Sequence, residues 1–412
     1  MVTPVTRHGR GDPESEPLAA QFAIMVSMFS RRTDWKLTPN RFTEAIAEVR
    51  ASGEEILDLT VSNPTRAGIE FDGPAILDSL RNPKSLDYDP QPKGSLRARE
   101  AAAAYYRDRG EPLNPERLVL TTSTSEGYSY VFRLLANPGD EVLVPKPSYP
   151  LFDFLAELQD VKLVGYPLLY DHGWQIDWQS LESAVTEKTR AVVVVHPNNP
   201  TGSFVSTAER ERLGKLCRER GLALIVDEVF LDYVHDSSRR QSFVANADAL
   251  TFTLSGISKI SALPQMKLAW IAVSGPTADV DPSMQRLEVI ADTYLSLNAP
   301  VQLAAGVLLE QRKKIQPQLM QRVLANLTEL DRQLAGQKSC VRLDVEGGWY
   351  AVLRVPATQS DEDLVIQLLR ERCVLIHPGH FYDFPNHGYL ILSLIASQAS
   401  FGAGIARVLG NF

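Results

Sequence analysis

Polar residues with chemical potential stand at the ends of apolar runs, in the chain order Thr124 and Ser125, Asn199, Asp227, Lys259. Asp227 closes LALIVDE, so its carboxylate is expected to be partly buried and to need a cationic or hydrogen-bonded partner; a helix N-cap is the plain alternative. Lys259 lies in SGISKISALPQMKLAW, between Ser255 and Ser258 on one side and Lys267 on the other. In an apolar pocket a lysine loses part of its proton affinity and becomes an amine nucleophile for a carbonyl; alone among serines it would face solvent. TTSTSEGYSYVF is a Ser/Thr-rich turn opening a helix, which either collects an anion on its backbone N–H groups or simply caps itself. HPNNPTG, from His196 to Gly202, is a constrained turn after RAVVVV.

The elements that must position these groups show as alternation. From about residue 95 to about residue 275, short apolar runs alternate with helical patterns, as expected of buried parallel strands joined by crossover helices. The strands are RLVLTT, DEVLVPK, RAVVVVH, LALIVDE and LAWIAVS. In STAERERLGKLCRERG, Ser206 and Glu209 have capping-box spacing, Leu213, Leu216 and Cys217 share a face, and Gly221 is the stop. After residue 300 the pattern turns to a long helical run, VQLAAGVLLEQRKKIQPQLMQRVLANLTELDRQL, then CVRLDVEG, WYAVLRV and YLILSLI. The early run ILDLTV is expected to join this second unit.

An α/β fold follows: a large domain with a mostly parallel central sheet flanked by helices, plus a smaller α+β domain. Residues 1–30 read as a mobile arm, 31–75 as a contribution to the small domain, 76–300 as the large domain and 301–412 as the C-terminal small domain. Open sheets of this kind bind ligands outside the carboxyl ends of their strands, where the polar loops fall.

Composition narrows the function. Across 412 residues, 44% hydrophobic and 22% charged describe an ordinary globular chain, and a net charge of -8 without a Lys/Arg cluster argues against nucleic acid. Cys217, Cys340 and Cys373 lack metal-ligand spacing, so no metal is expected, and buried thiols suit a reducing, cytoplasmic setting. The first residues lack a secretory pattern, and AAQFAIMVSMF is too short to span a bilayer, so no membrane is expected.

HPNNPTG, VDEVF and SGISK, in this order and spacing, resemble the fold-type I, class I/II aminotransferases of the aspartate aminotransferase-like superfamily, over roughly residues 30–400. The resemblance implies pyridoxal 5'-phosphate as cofactor and transfer of an amino group from an amino acid or amine to a 2-oxo acid. By position, Lys259 matches the lysine that forms the imine and moves the proton, Asp227 the partner of the ring nitrogen, and Asn199 the donor to the phenolic oxygen. Thr124 and Ser125 match phosphate-binding positions, Ser255 and Ser258 join the cofactor-binding set, and Tyr149 in PKPSYP matches the stacking ring. Tyr88 in YDPQPKGSL resembles the tyrosine that reaches the neighbouring subunit's phosphate, implying a homodimer with shared sites. Two other readings stay open. One is a β-eliminating carbon–sulfur lyase on the same cofactor; the other is a non-catalytic effector-binding protein of this fold.

Three positions depart from the family pattern. Phe230 stands where a tyrosine usually donates to the phenolic oxygen. Lys267 stands for a phosphate-binding arginine, keeping the charge without the fork. Ile391, in GYLILSLI, replaces the arginine that grips the substrate carboxylate; Arg66 in SNPTRAG, with Asn63 beside it, is the candidate substitute. His377 and His380 in HPGHFYDF fall in a loop bordering the substrate in relatives, yet lack a third metal ligand and take no role. Trp349 in EGGWY reads as core before pocket wall.

Overall fold

Long apolar runs without alternation need cover on both faces, and the chain supplies it with helices. The computed structural model describes residues 28–35, 37–150, 152–295 and 297–412, so most of the expected arm, 1–30, lies outside the described residues. Among the described residues eight strands form the main sheet: β1 (Leu118–Thr121), β2 (Glu141–Lys146), β3 (Lys162–Tyr170), β4 (Trp174–Ile176), β5 (Thr189–Val195), β6 (Ala223–Asp227), β7 (Thr251–Gly256) and β8 (Ala269–Ser274). Their order is β1-β8-β7-β6-β5-β2-β3-β4. Pairing is parallel from β3 through β2, β5 and β6 to β7; β8 runs antiparallel to β7 and β1, although its sequence was grouped with the parallel runs.

The five expected strands are present, and β7, the run TFTLSG, is an additional one. Its threonines disguise it: Thr251 and Thr253 are completely buried, and the Thr251 hydroxyl is satisfied by Asn246 Nδ2 at 2.8 Å and the Ala249 carbonyl at 2.9 Å. The helices used below are α1 (Arg41–Ala51), α2 (Leu96–Arg107), α3 (Thr124–Leu135), α4 (Thr207–Arg220), α5 (Ala299–Glu310) and α6 (Arg312–Leu334). On α4 the capping box of Ser206 and Glu209 is formed, Leu213, Leu216 and Cys217 are buried, and Gly221 ends the helix in the left-handed conformation.

The long helical run divides at Gln311. On α5, Val301, Ala304, Ala305, Leu308 and Leu309 pack with Tyr106, Leu118 and Trp270 against the main sheet, so the large unit extends past the boundary drawn at residue 300. The smaller core begins with α6, whose Ile315, Leu319, Val323 and Leu330 join Phe42, Ala45 and Val49 of α1. Each buried Leu, Ile, Val or Phe among them contributes about 1.5–3 kcal/mol by leaving water. Leu57–Asp58 pairs in parallel with Val374–Leu375, tying the early run ILDLTV to the C-terminal unit. An antiparallel sheet of Val341–Arg342, Tyr350–Arg354, Tyr389–Ser393 and His377–Pro378, in that order, completes the unit. No helix among the described residues is long and apolar enough to cross a membrane.

Candidate active site

At the carboxyl ends of β5, β6 and β7 lies a cavity of 1290 Å³, lined on the sheet side by Thr124, Ser125, Asn199, Asp227, Ser258 and Lys259. Single-ligand pockets run to about 300–1,000 Å³, so this one has room for a cofactor and a substrate together.

Asp227 is the last residue of β6 and only partly accessible. Its Oδ1 accepts from the Val229 N–H at 3.1 Å and its Oδ2 from the Tyr128 phenol at 3.2 Å. Loss of water pushes its pKa up to about 6; the two hydrogen bonds and Lys259 restrain the rise. Lys259 sits on the short helix Ile257–Ile260 directly after β7. Its Nζ lies 5.2 Å from the centre of the Phe230 ring and 4.7 Å from that of Trp349. Rings solvate an ammonium less well than water does, and desolvation brings the amine down to about 8 against the opposing pull of Asp227.

The short helix has no side-chain N-cap, so its direction is fixed from the other end. The Tyr233 phenol donates to the Lys259 carbonyl at 2.7 Å, and Gln316 Nε2 on α6 donates to the Ile260 carbonyl at 2.8 Å. In the turn before α4, His196 is completely enclosed, with Nδ1 accepting from the Val205 N–H at 3.1 Å; burial lowers its pKa to about 3, leaving a neutral structural ring. Asn198 Nδ2 donates to the Pro147 carbonyl at 3.0 Å, which leaves Asn199 to face the cavity.

The donor set fits pyridoxal phosphate. The buried Asn199 Oδ1 has no hydrogen-bond partner among the described residues, and the two ends of that amide are interchangeable, so a donor or an acceptor is on offer. At the start of α3, the Ser123 hydroxyl accepts from the Glu126 N–H at 3.2 Å and the Gly127 N–H reaches the Ser123 carbonyl at 3.1 Å. The N–H groups of Thr124 and Ser125 are thereby left for an anion at the positive end of the helix. Among the described residues no cluster of three His, Cys, Asp or Glu could hold a metal.

Tyr149 also lines the cavity, 45% exposed at its edge. Five of the sequence-picked side chains are elsewhere. Ser255 is buried within β7; Lys267 is exposed after the turn Pro264–Met266; Tyr88 is 80% exposed. Arg66 is exposed too, and the Asn63 side chain is spent accepting from the Thr65 N–H at 3.0 Å and hydroxyl at 2.7 Å. Conversely, Tyr128 and His377 belong to the site without having been picked. Tyr128 had a signal, standing four residues after Thr124 and so on the same helix face. Trp349 is core as expected, with no exposure, and is also a wall of the lysine's pocket.

A family model described as aminotransferase class I and II matches residues 54–392. An alanine aminotransferase of Mycobacterium tuberculosis is 30% identical over 381 residues, covering 89% of this chain and 87% of that protein. A glutamate-pyruvate aminotransferase of Haemophilus influenzae is 29% identical over 386 residues, covering 87% and 92%. The alanine aminotransferase structure from Pyrococcus furiosus superposes with a TM-score of 0.80 at 20% identity, over 92% of this chain and 98% of that one, which is agreement in fold. The chain belongs to the class I and II aminotransferases, transaminases that use pyridoxal phosphate on the fold-type I architecture.

Proposed function

We propose that the protein moves the amino group of a small α-amino acid, alanine or glutamate first, to a 2-oxo acid such as pyruvate or 2-oxoglutarate. One observation carries the amine-exchange chemistry: the Lys259 amine, the Asp227 carboxyl and the unpartnered Asn199 amide face one cavity, with both titratable groups shifted by burial. The names of the relatives point to the same substrates.

Pyridoxal phosphate, when bound, supplies an aldehyde for exchange of amines and a ring that accepts electrons. Thr124, Ser125 and Ser258 would hold its phosphate and Asn199 its phenolic oxygen, with Tyr149 against a ring face. Asp227, mostly ionised at neutral pH, would face the ring nitrogen and favour its protonated form. Lys259 carries a useful fraction of free amine near neutrality, so it can attack a carbonyl and afterwards take and return the proton at the substrate's Cα. Phe230 and Trp349 keep water away from that amine.

Ser255 and Lys267 do not line this cavity and drop out of the proposed cofactor set, whereas the exposed Tyr88 would reach the second subunit's site across a homodimer. A reducing cytoplasm suits three cysteines that are all unpaired and buried.

The test is to mix the holoprotein with single amino acids and no acceptor, with Lys259→Ala as control. Stoichiometric release of pyruvate from alanine, or of 2-oxoglutarate from glutamate, is expected from the wild type alone. Continuous release of pyruvate and ammonia without an acceptor would mark the lyase instead, and failure to bind pyridoxal phosphate would remove both.

A further inference from the structure

We propose that His377, held by Tyr382, is the group that binds the substrate's carboxylate; the proposal rests on the aminotransferase reading. The strand Tyr389–Ser393 lies between Tyr350–Arg354 and His377–Pro378, and Ile391 stands opposite Val352 on one side and His377 on the other. Directly opposed residues of an antiparallel pair present their side chains to the same face. Ile391 has no donor and no exposure, whereas His377 lines the cavity. The position at which the resemblance places a carboxylate-binding arginine is thus an apolar core residue, and its cross-strand partner His377 is the polar group that reaches the cavity. Arg66 does not line the cavity.

His377 is oriented for the task. Its Nδ1 lies 3.2 Å from the Tyr382 hydroxyl, also at the cavity wall. With the phenol donating to Nδ1, the ring proton resides on Nε2, which has no partner among the described residues and can donate to an anion. The polar groups acting on the ring are Tyr382 from the following turn and Asp58 from the strand Leu57–Asp58, while His380 and Tyr350 line the same cavity. Asp58 is the counter-charge among them, with Oδ1 engaged by the Thr60 N–H at 2.8 Å and hydroxyl at 2.6 Å. Burial outweighs its pull and lowers His377 to about 4, so the free site presents a neutral donor. An incoming carboxylate adds a second negative charge and draws a proton onto the ring, so binding should tighten as the pH falls.

The experiment compares wild-type holoenzyme with His377→Phe and His377→Gln, measuring KM and kcat for alanine and for pyruvate from pH 6 to 8. The resting cofactor spectrum of each confirms loading. His377→Phe is expected to raise both KM values roughly tenfold to a hundredfold, the worth of a hydrogen bond to a charged group, with kcat changed far less. His377→Gln keeps a donor that cannot be protonated, so its KM should approach the wild type's at pH 8 and diverge from it towards pH 6; taking the ratio cancels the substrate's own titration. KM values for His377→Phe within twofold of an active wild type would overturn the proposal and leave the carboxylate to Arg31 or Arg50 at the cavity mouth. If His377→Phe does not fold, a His377→Gln ratio constant with pH overturns it equally. A loaded wild type that transfers no amino group would instead sink the aminotransferase reading itself, and this proposal with it.

Discussion

The phenol of Tyr128 donates to Oδ2 of Asp227 at 3.2 Å, across the gap between α3 and the end of β6. Helix and strand are thus joined at the carboxylate, and the protein spends stability on keeping it there. The Asp227 pKa is raised from 3.8 to about 6 on folding. Between those values the folded chain holds a proton that the unfolded chain has lost, so stability falls as pH rises from about 4 to about 6 and stays at the lower level above. The shift corresponds to about 3 kcal/mol at most, less what cavity water returns. Asp227→Asn apoprotein should therefore be more stable than wild-type apoprotein above pH 6, by an amount that shrinks towards pH 4. Its transamination rate should fall at least about a hundredfold, since an amide cannot pair with a cationic ring nitrogen. Denaturant melts at pH 4, 5, 6 and 7 check this; a gap independent of pH would show that Asp227 is not the buried charge responsible.

Phe230 yields a spectroscopic prediction. It is 4% exposed, its ring meets Trp349 edge-on at 5.2 Å, and it lines the cavity beside Lys259. A tyrosine there would add a second donor to the oxygen proposed for Asn199. A donor favours the ionised form of a phenolic oxygen, so Phe230→Tyr should lower the pH midpoint of the bound cofactor's visible absorbance by about one to two units. An unchanged midpoint would place residue 230 away from that oxygen.

These groups differ in how far they could be read before folding. Asp227 and Lys259 stand at the ends of buried runs, and a charge there has few roles, so position along the chain nearly sufficed. The capping box of Ser206 and Glu209 was legible because its partners are three residues apart. β7 was not, because its threonines break the apolar run and only the fold shows Asn246 and Ala249 satisfying one of them. The division of α5 from α6 escaped because the turn at Gln311 carries no Gly or Pro. His377 takes no role in the sequence because no third metal ligand accompanies it and His380, and its use as a lone polar group shows only in the fold. Its neighbour Ile391 is close only through strand register, which depends on pairing between segments distant in sequence. Arg66 looks available because it lies just beyond the loop SNPT, but its side chain is exposed and does not line the cavity.

Gly202 closes the turn that presents Asn199, and its φ of +70° is one a side chain rarely adopts. A Cβ there would stand 2.4 Å from Val345 Cγ2 and 2.5 Å from the Gly347 carbonyl oxygen. The two segments are also bonded: the Glu346 N–H reaches the Gly202 carbonyl at 3.2 Å, and the Phe204 N–H reaches Glu346 Oε2 at 2.7 Å. The segment so fastened leads into Trp349, hence a methyl at 202 should disturb both the Asn199 amide at the cavity and the ring beside the Lys259 amine. Backbone strain and overpacking together put the cost of Gly202→Ala at about 2–4 kcal/mol. Gly348 separates the two effects. It has a φ of +82° but open space where a Cβ would go, so Gly348→Ala should cost only the strain, about 1–2 kcal/mol. Melts of both variants, with pyridoxal phosphate affinity measured on each, decide the matter. Equal costs would mean that the contact between the turn and the segment before Trp349 contributes nothing, whereas a larger loss of both stability and cofactor in Gly202→Ala assigns that contact a share in holding Asn199.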